Sequence, residues 1–233
     1  MESTRPKPAS HTRAAPSLTR RYAAWSLDAA LVAAVMLPAT CSLWWPHLLA
    51  AESALLALLE PILQAMFDAM PALPAPGALL ANPGISDAVT GFSAALGGAL
   101  LWMLAPLAIV SCIYGAAFEH VRGATPGKRA LGLRVTAAGG EPLGAPRHVL
   151  RQASGALSWL TLNLGHLLAV IPPDHQALHD RIARARVVAD RQAPLPRWAR
   201  AWLWLQAVAA CVAVAALAFM LRGAVDAALL RMP

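Results

Sequence analysis

Long apolar stretches separated by short arginine-rich segments are the main pattern of this sequence. Residues 22–43, 88–118 and 201–221 each run for about 20 residues or more, the length that an α-helix needs to cross a membrane. Asp28 is the one charged residue in the first stretch, and the other two stretches carry none. The pattern predicts three transmembrane helices, with Pro106 as a candidate kink in the second.

Residues 47–70 form a further apolar run, but three carboxylates interrupt it. These are Glu52, Glu60 and Asp68. A crossing here would place the basic segment 122–151 outside. We therefore expect a helix that lies in the outer membrane interface, anchored by the two tryptophans that precede it. This helix would belong to an extracytoplasmic insertion covering residues 44–87.

Residues 152–173 allow two topologies. The segment is uncharged and just long enough to cross, which would give four spans and leave the later arginines outside. Alternatively it enters the membrane and returns as a re-entrant helical hairpin, which keeps those arginines inside and places the C-terminus outside. Gly155, Asn163, Gly165 and a Pro-Pro pair suit a broken hairpin, and we favour this alternative.

Two basic segments also carry a β pattern. Residues 131–135 lead into a Gly-Gly turn, and residues 183–188 alternate as a strand does. A small sheet that pairs them requires both on one side of the membrane, which favours the re-entrant topology. The predicted fold class is an all-α integral membrane protein with three to four transmembrane helices, a re-entrant hairpin and a small cytoplasmic β element.

Composition places the chain in the membrane class. Charged residues make up 13% and apolar residues 58%, whereas soluble domains have about 25% and 45–50%. The net charge of +7 would suggest nucleic acid in a soluble protein, but residues 22–121 contain no Lys or Arg. The basic residues fall in three blocks, at 5–21, 122–151 and 181–200.

This distribution indicates which side of the membrane each block occupies. Lys and Arg near membrane ends are retained on the cytoplasmic side, where they attract anionic headgroups. We expect a multi-pass protein of a bacterial inner membrane with a cytoplasmic N-terminus. The lipid bilayer with its anionic headgroups is the expected partner, and nucleic acid is not.

Asp28 is the most informative single residue, because a carboxylate inside a span has to face protein or water. Arg21 precedes it by two helical turns, so both lie on one helix face. Two interpretations stay open. Asp28 is either a structural clamp that pairs with an arginine such as Arg21 or Arg151, or a site for a proton or a cation.

Two further motifs argue weakly for an enzyme. The stretch 123–128 has three rather than four residues between its glycines, and Arg129 follows its lysine, so a tight turn is expected instead of a nucleotide-binding loop. His175 and His179 lie four residues apart, but no third ligand completes a metal shell. We expect no metal, no cofactor and no catalytic residue, and therefore not an enzyme.

Three motifs together resemble the RDD family, bacterial membrane proteins named for one arginine and two aspartates. The motifs run from Arg21 to Asp28, from Gly123 to Val135, and from Leu178 to Ile182. The resemblance implies three signature residues, which are Arg21, Asp28 and Asp180. It implies a supporting set, which is Gly123, Thr125, Gly127, Lys128, Gly132, Arg151 and His179. The chain departs from the family pattern at residues 184–185, where Arg-Ala stands in place of Gly-Thr.

The expected organisation follows from these motifs. Residues 1–20 form a disordered cytoplasmic tail, residues 21–190 an RDD-like membrane domain, and residues 191–233 a linker and an additional C-terminal transmembrane helix. The resemblance implies a transport-related role, proton- or cation-linked through a buried Arg/Asp cluster. Three or four spans seldom enclose a pathway, so a transporter would be a homo-oligomer. The alternative is a non-catalytic accessory or assembly subunit of a larger inner-membrane complex.

Overall fold

Helices make up most of the structure. The computed structural model describes residues 15–72, 74–160, 165, 168–171, 175–190 and 193–230. Its helices are α1 (Leu18–Ala39), α2 (Cys41–Asp68), α3 (Pro76–Ala81), α4 (Pro83–Arg122), α5 (Pro126–Ala130), α6 (Ala145–Leu160), α7 (Leu178–Ile182) and α8 (Arg197–Leu229). The two strands are β1 (Leu133–Ala137) and β2 (Ala185–Ala189), and Leu168–Val170 forms a 3₁₀ turn.

Four of these helices, α1, α2, α4 and α8, are long and apolar enough to cross a membrane. The predicted fold class, an all-α membrane protein with a small β element, is confirmed. Helix α4 has 40 residues, or about 60 Å, and it exceeds the hydrocarbon core of about 30 Å. The helix is therefore longer than one perpendicular crossing requires.

The segment predicted to hold an interfacial helix has a different boundary. Helix α2 begins at Cys41, directly after α1, and runs for 28 residues to Asp68. The Trp-Trp pair therefore lies inside the helix, as do Pro46 and Pro61. Most of the predicted N-terminal tail, residues 1–14, lies outside the described residues, and α1 begins at Leu18.

The chain divides into two compact units. The first contains residues 1–32 and 110–200, and the second contains residues 33–109 and 201–233. Within the second unit, the His47 ring on α2 stacks on Trp102 of α4, with centroids 6.3 Å apart. Gly98 leaves room for this ring, because a Cβ there would lie 3.2 Å from His47 Nδ1.

The first unit contains the small sheet. Strands β1 and β2 pair antiparallel, with Val135 opposite Val187, as the sequence predicts. Each strand begins two residues later than expected. Gly132 and Arg184 have positive φ angles of 65° and 49°, so the residues just before each strand form turns that end the preceding short helix.

Contacts within the first unit restrict the membrane topology. The Tyr114 hydroxyl on α4 donates to Asp28 on α1 at 2.9 Å, so the chain between them crosses the membrane an even number of times. Helices α1, α2 and α4 cannot all be full crossings. Arg151 likewise contacts Asp180 at 2.8 Å, which brings together the residues on either side of the segment 152–173. Of that predicted hairpin, residues 161–164, 166–167 and 172–173 lie outside the described part of the chain.

These contacts generate a topology prediction. Reporters fused near residues 15, 140 and 192 should all report one side of the membrane, because the intervening chain returns to the same network. A reporter near residue 75 should report the other side. Opposite signals at residues 140 and 192 would contradict the pairing of β1 with β2.

Candidate functional site

Four segments far apart in sequence bring buried charged side chains together within the first unit. Arg21 comes from α1, Glu119 from α4, Arg151 from α6 and Asp180 from α7. Lys128 of α5 joins them. Glu119, Arg151 and Asp180 are almost fully buried. We call these five residues the carboxylate network.

Arg151 is the centre of the network. Its Nε donates to Asp180 Oδ1 at 2.8 Å, and its Nη1 donates to both oxygens of Glu119 at 2.7 and 3.0 Å. The remaining nitrogen, Nη2, lies 3.3 Å from His179 Nε2. A planar guanidinium can bridge two carboxylates in this way, whereas a lysine ammonium is a point charge without the rigid fork.

Asp180 accepts from several directions. Its Oδ2 accepts from Arg21 Nη1 at 3.3 Å and from the Ala177 amide at 3.3 Å. The second contact closes the first turn of α7, where Ala177 has no capping side chain of its own. Arg21 also donates through Nη2 to the Val187 carbonyl at 3.3 Å. The start of α1 is thereby tied to both α7 and β2.

The charges around Asp180 set its ionisation. Burial raises the pKa of the Asp180 carboxyl, but the neighbouring charges of Arg151, His179 and Arg21 outweigh burial and hold it below its ordinary value. A carboxyl with a lowered pKa stabilises the fold above its unfolded-state pKa. This contribution is lost only as pH falls through the lowered value.

Glu119 is the second carboxylate of the network. Besides Arg151, it accepts from Lys128 Nζ at 2.7 Å, and His148 Nδ1 lies 3.4 Å from its Oε2. Three permanent cations, Arg21, Lys128 and Arg151, thus face two carboxylates. Ions taken out of water are tolerated only when such partners offset several kcal/mol of desolvation for each ion.

Asp28 lies in a second polar group with different chemistry. Its Oδ1 accepts from the Tyr114 hydroxyl at 2.9 Å and from the Gly127 amide at 2.7 Å. Its Oδ2 accepts from the Thr125 hydroxyl. These hydrogen-bond donors are all uncharged. We call these four residues the Asp28 group.

The Asp28 group holds the first turn of α5. Thr125 occupies the N-cap position of α5 without a side-chain cap bond, and Pro126 follows it. The free amide of Gly127 then finds its acceptor on α1, in Asp28. Lys128 links the two groups, since its Nζ lies 3.5 Å from Thr125 Oγ1 and also contacts Glu119.

The signature residues therefore divide between the two groups. Arg21 and Asp180 contact each other in the carboxylate network, and Asp28 belongs to the other group. The two sequence hypotheses assigned Asp28 either an arginine partner or a proton or cation. The structure instead gives it three neutral donors. Among the supporting residues, Gly123 and Gly132 have φ angles of 70° and 65° and form the turns on either side of α5.

Three residues of the site were missed by sequence reasoning. These are Tyr114, Glu119 and His148. Glu119 follows the uncharged stretch of α4 directly, an unusual place for a carboxylate, and that position was a usable signal. His148 lies three residues before Arg151 on the same helix face.

The residues considered for a metal site lie in other arrangements. His175 Nδ1 is 3.2 Å from the Ala169 carbonyl, and His179 faces Arg151. Within the described residues, no group of three or more His, Cys, Asp or Glu side chains is placed to hold a metal ion. Asp174 and His166 lie outside that part of the chain.

Gly127 provides a test of the Asp28 group. A Cβ at this position would collide with the Ala24 carbonyl oxygen and lie 2.9 Å from Asp28 Cγ. Because main chain cannot move as a side-chain tip can, Gly127→Ala should lower the free energy of unfolding by about 1–3 kcal/mol. Gly91→Ala is the matched control, since nothing lies within 4 Å of its Cβ position. Equal thermal midpoints in detergent for both variants would refute the close approach.

Arg151 provides a test of the carboxylate network. Arg151→Met leaves two buried carboxylates without their shared partner, and removing one member of a buried ion pair costs about 3–5 kcal/mol. Arg151→Lys should recover only part of this loss, because lysine cannot bridge both acids. Arg147→Met on the exposed side of α6 is the control, with an expected change within about 0.5 kcal/mol. Thermal unfolding in detergent measures all three, and a tolerated Arg151→Met would contradict the network.

Comparison with known proteins agrees with the sequence motifs. The RDD family profile matches residues 15–184, which include both polar groups and strand β1. Neither the curated proteins nor the solved structures contain a match to this chain. The matched residues cover more than half of the chain, and the protein therefore belongs to the RDD family.

Proposed function

We propose that this protein is a non-catalytic membrane subunit that works within a larger assembly of membrane helices. In this proposal its basic segments lie on the cytoplasmic side of a bacterial inner membrane, and the polar network is a structural clamp. The observation that carries the proposal is the compensation of every carboxylate in the network by fixed partners. A second observation, the lack of cover on the apolar helices, supports it.

The compensation favours a clamp over a transport or catalytic site. Glu119 and Asp180 share Arg151, and each has a further cation of its own, Lys128 or Arg21. A site that binds and releases an ion or activates a substrate needs a group that can exchange its partner. Here an exchange would leave a buried charge without compensation, at a cost of several kcal/mol.

The apolar helices favour an assembly. In the most apolar 18-residue stretches of α2 and α4, 6% of the residues are buried, and in that of α8 none is buried. A pathway for an ion has to be enclosed by protein on all sides. The helices of the described chain do not cover these apolar faces, so they do not enclose such a pathway by themselves. A second copy or a different membrane protein would supply the missing helices, with lipid on the outer faces.

The arginine distribution supports the proposed orientation. Exposed arginines of the first unit include Arg122, Arg129, Arg147 and Arg184. Basic residues beside membrane ends are retained in the cytoplasm. Each adds about 1 kcal/mol of attraction to the anionic inner leaflet.

Proton- or cation-linked transport is the second candidate, and the Asp28 group favours it. Among the described residues, the hydrogen-bond donors to the Asp28 carboxylate are neutral, and two of them are hydroxyls. A hydroxyl can turn and offer a lone pair instead of a proton. Asp28, Thr125 and Tyr114 could then present oxygen ligands to a small cation, and Lys128 would couple the site to Glu119.

Reconstitution of the purified full chain into lipid vesicles separates the two candidates. The proposal predicts no flux of protons, Na⁺ or K⁺ above protein-free vesicles, and a species larger than a monomer by native mass spectrometry from nanodiscs. Flux by the wild type that Asp28→Asn abolishes would establish transport and overturn the proposal. A monomer without flux would contradict the assembly.

Matched variants make that result interpretable. Asp28→Asn keeps the side-chain shape but removes the charge, so hydrogen bonds to an ionised acceptor are replaced by weaker neutral ones, at about 1–3 kcal/mol. Asp87→Asn, at an exposed position near the start of α4, removes the same charge without that loss. The proposal predicts lower thermal stability for Asp28→Asn and wild-type behaviour for Asp87→Asn.

A further inference from the structure

Helix α6 is amphipathic in the reverse sense of a helix on a water-soluble domain. Its buried residues are polar, with His148 2% and Arg151 4% exposed. Beyond its first turn, the exposed residues that the structure describes are apolar, with Val149 55% and Leu150 46% exposed. In a water-soluble domain the apolar stripe faces the core and the polar face meets the solvent.

The polar face of α6 is satisfied by the site described above. Arg151 binds both carboxylates of the network, and Ser154 Oγ donates to the Leu150 carbonyl at 2.7 Å. Polar groups within a membrane are placed in this way, toward protein partners and away from lipid. The opposite face carries Val149, Leu150, Ala153 and Ala156, all exposed.

Contacts with α4 show the direction in which α6 runs. His148 lies beside Glu119 and His120 at the end of α4. One turn further along α6, the side chain of Gln152 fills the space that a Cβ on Gly115 would occupy. The two helices are therefore antiparallel, and Gly115 permits their close approach.

This direction carries α6 toward the interior of the span. Gly115 lies seven residues before the end of α4 at Arg122, a distance of about 10 Å along the helix. Helix α6 continues in the same direction to Leu160. The sequence has no charged residue between Arg151 and Asp174, so no fixed charge opposes entry into an apolar medium.

We propose that α6 enters the membrane beside α4 and presents Val149, Leu150, Ala153 and Ala156 to phospholipid acyl chains. The phospholipids belong to the leaflet on the side of the carboxylate network, and Arg122 and Arg147 contact their phosphates. This inference does not rest on the proposed function.

Continuity with the span and charge complementarity both identify lipid as the occupant. The adjacent part of α4 also exposes large apolar side chains, including Ile113 and Val121. The exposed Arg122 ends α4, and the exposed Arg147 lies at the start of α6. Because the two helices are antiparallel, both arginines lie at the same end of the pair. Anionic phosphates of the headgroup layer complement these two charges.

Photo-cross-linking in the full chain tests the proposal. A photo-reactive phenylalanine analogue is introduced at position 149, 153 or 134, and the protein is reconstituted in phosphatidylethanolamine vesicles with a minority of phosphatidylglycerol. Position 134 is the control, because Arg134 is exposed on β1. The expected result is several-fold more phospholipid adduct, by mass spectrometry, at positions 149 and 153 than at 134. Equal adduct at all three positions, or adduct to protein at 153, overturns the proposal.

A pair of lysine substitutions keeps the proposal testable if the analogue is not tolerated. Ala153→Lys places a charge on the face assigned to lipid, and Ala138→Lys places it on an exposed turn after β1. Since lysine is a good helix former, Ala153→Lys should be neutral if that face meets water. The proposal predicts several-fold lower membrane accumulation for Ala153→Lys alone. Wild-type accumulation and thermal midpoint for Ala153→Lys overturn it.

Discussion

The interaction on which the rest of this structure depends is the bridge that the Arg151 guanidinium makes between Glu119 and Asp180. Neither carboxylate reaches water, and each would destabilise the fold by several kcal/mol if left alone. One planar cation satisfies both, because its nitrogens point in different directions within one plane. Arg21 and Lys128 then give each acid a second cationic partner, Arg21 for Asp180 and Lys128 for Glu119.

This bridge determines how the chain is arranged around it. It connects the end of α4 to α6 and α7, and through Arg21 to the start of α1. Any membrane topology therefore has to return these four segments to one side. The same requirement explains the reverse amphipathicity of α6, since its polar residues are needed on the protein side and its apolar residues are left to the membrane.

The sequence predicts the parts of this arrangement that depend on local pattern. Three spans follow from apolar length, and the pairing of Val135 with Val187 follows from alternation in two basic segments. The contact between Arg21 and Asp180 joins two residues that the RDD resemblance marks as signatures. Local pattern does not identify tertiary partners. Tyr114 and Glu119 lie more than 25 residues from the residues they contact on α1 and α6, and nothing in the spacing selects them.

The boundary of α2 shows a second limit. Carboxylates in an apolar run argue against a crossing, but they do not define where a helix begins, and the structure continues helix from Cys41. Asp28 shows a third limit of prediction from the sequence. Its charge suggested a charged partner, whereas two hydroxyls and a main-chain amide satisfy it. The residue types along a sequence do not show which main-chain amides, at the start of a distant helix, will donate to a buried carboxylate.

The most direct test of the bridge is a double-mutant cycle on Arg151→Met and Glu119→Gln, measured as the free energy of unfolding in detergent. Because each single variant leaves a buried partner uncompensated, the double variant should lose less than the sum of the two, by about 1–3 kcal/mol. The exposed pair Arg134 and Asp190, changed to Met and Asn, should show coupling below about 1 kcal/mol. Additive losses at Arg151 and Glu119 would contradict the bridge as the interaction that holds these segments together.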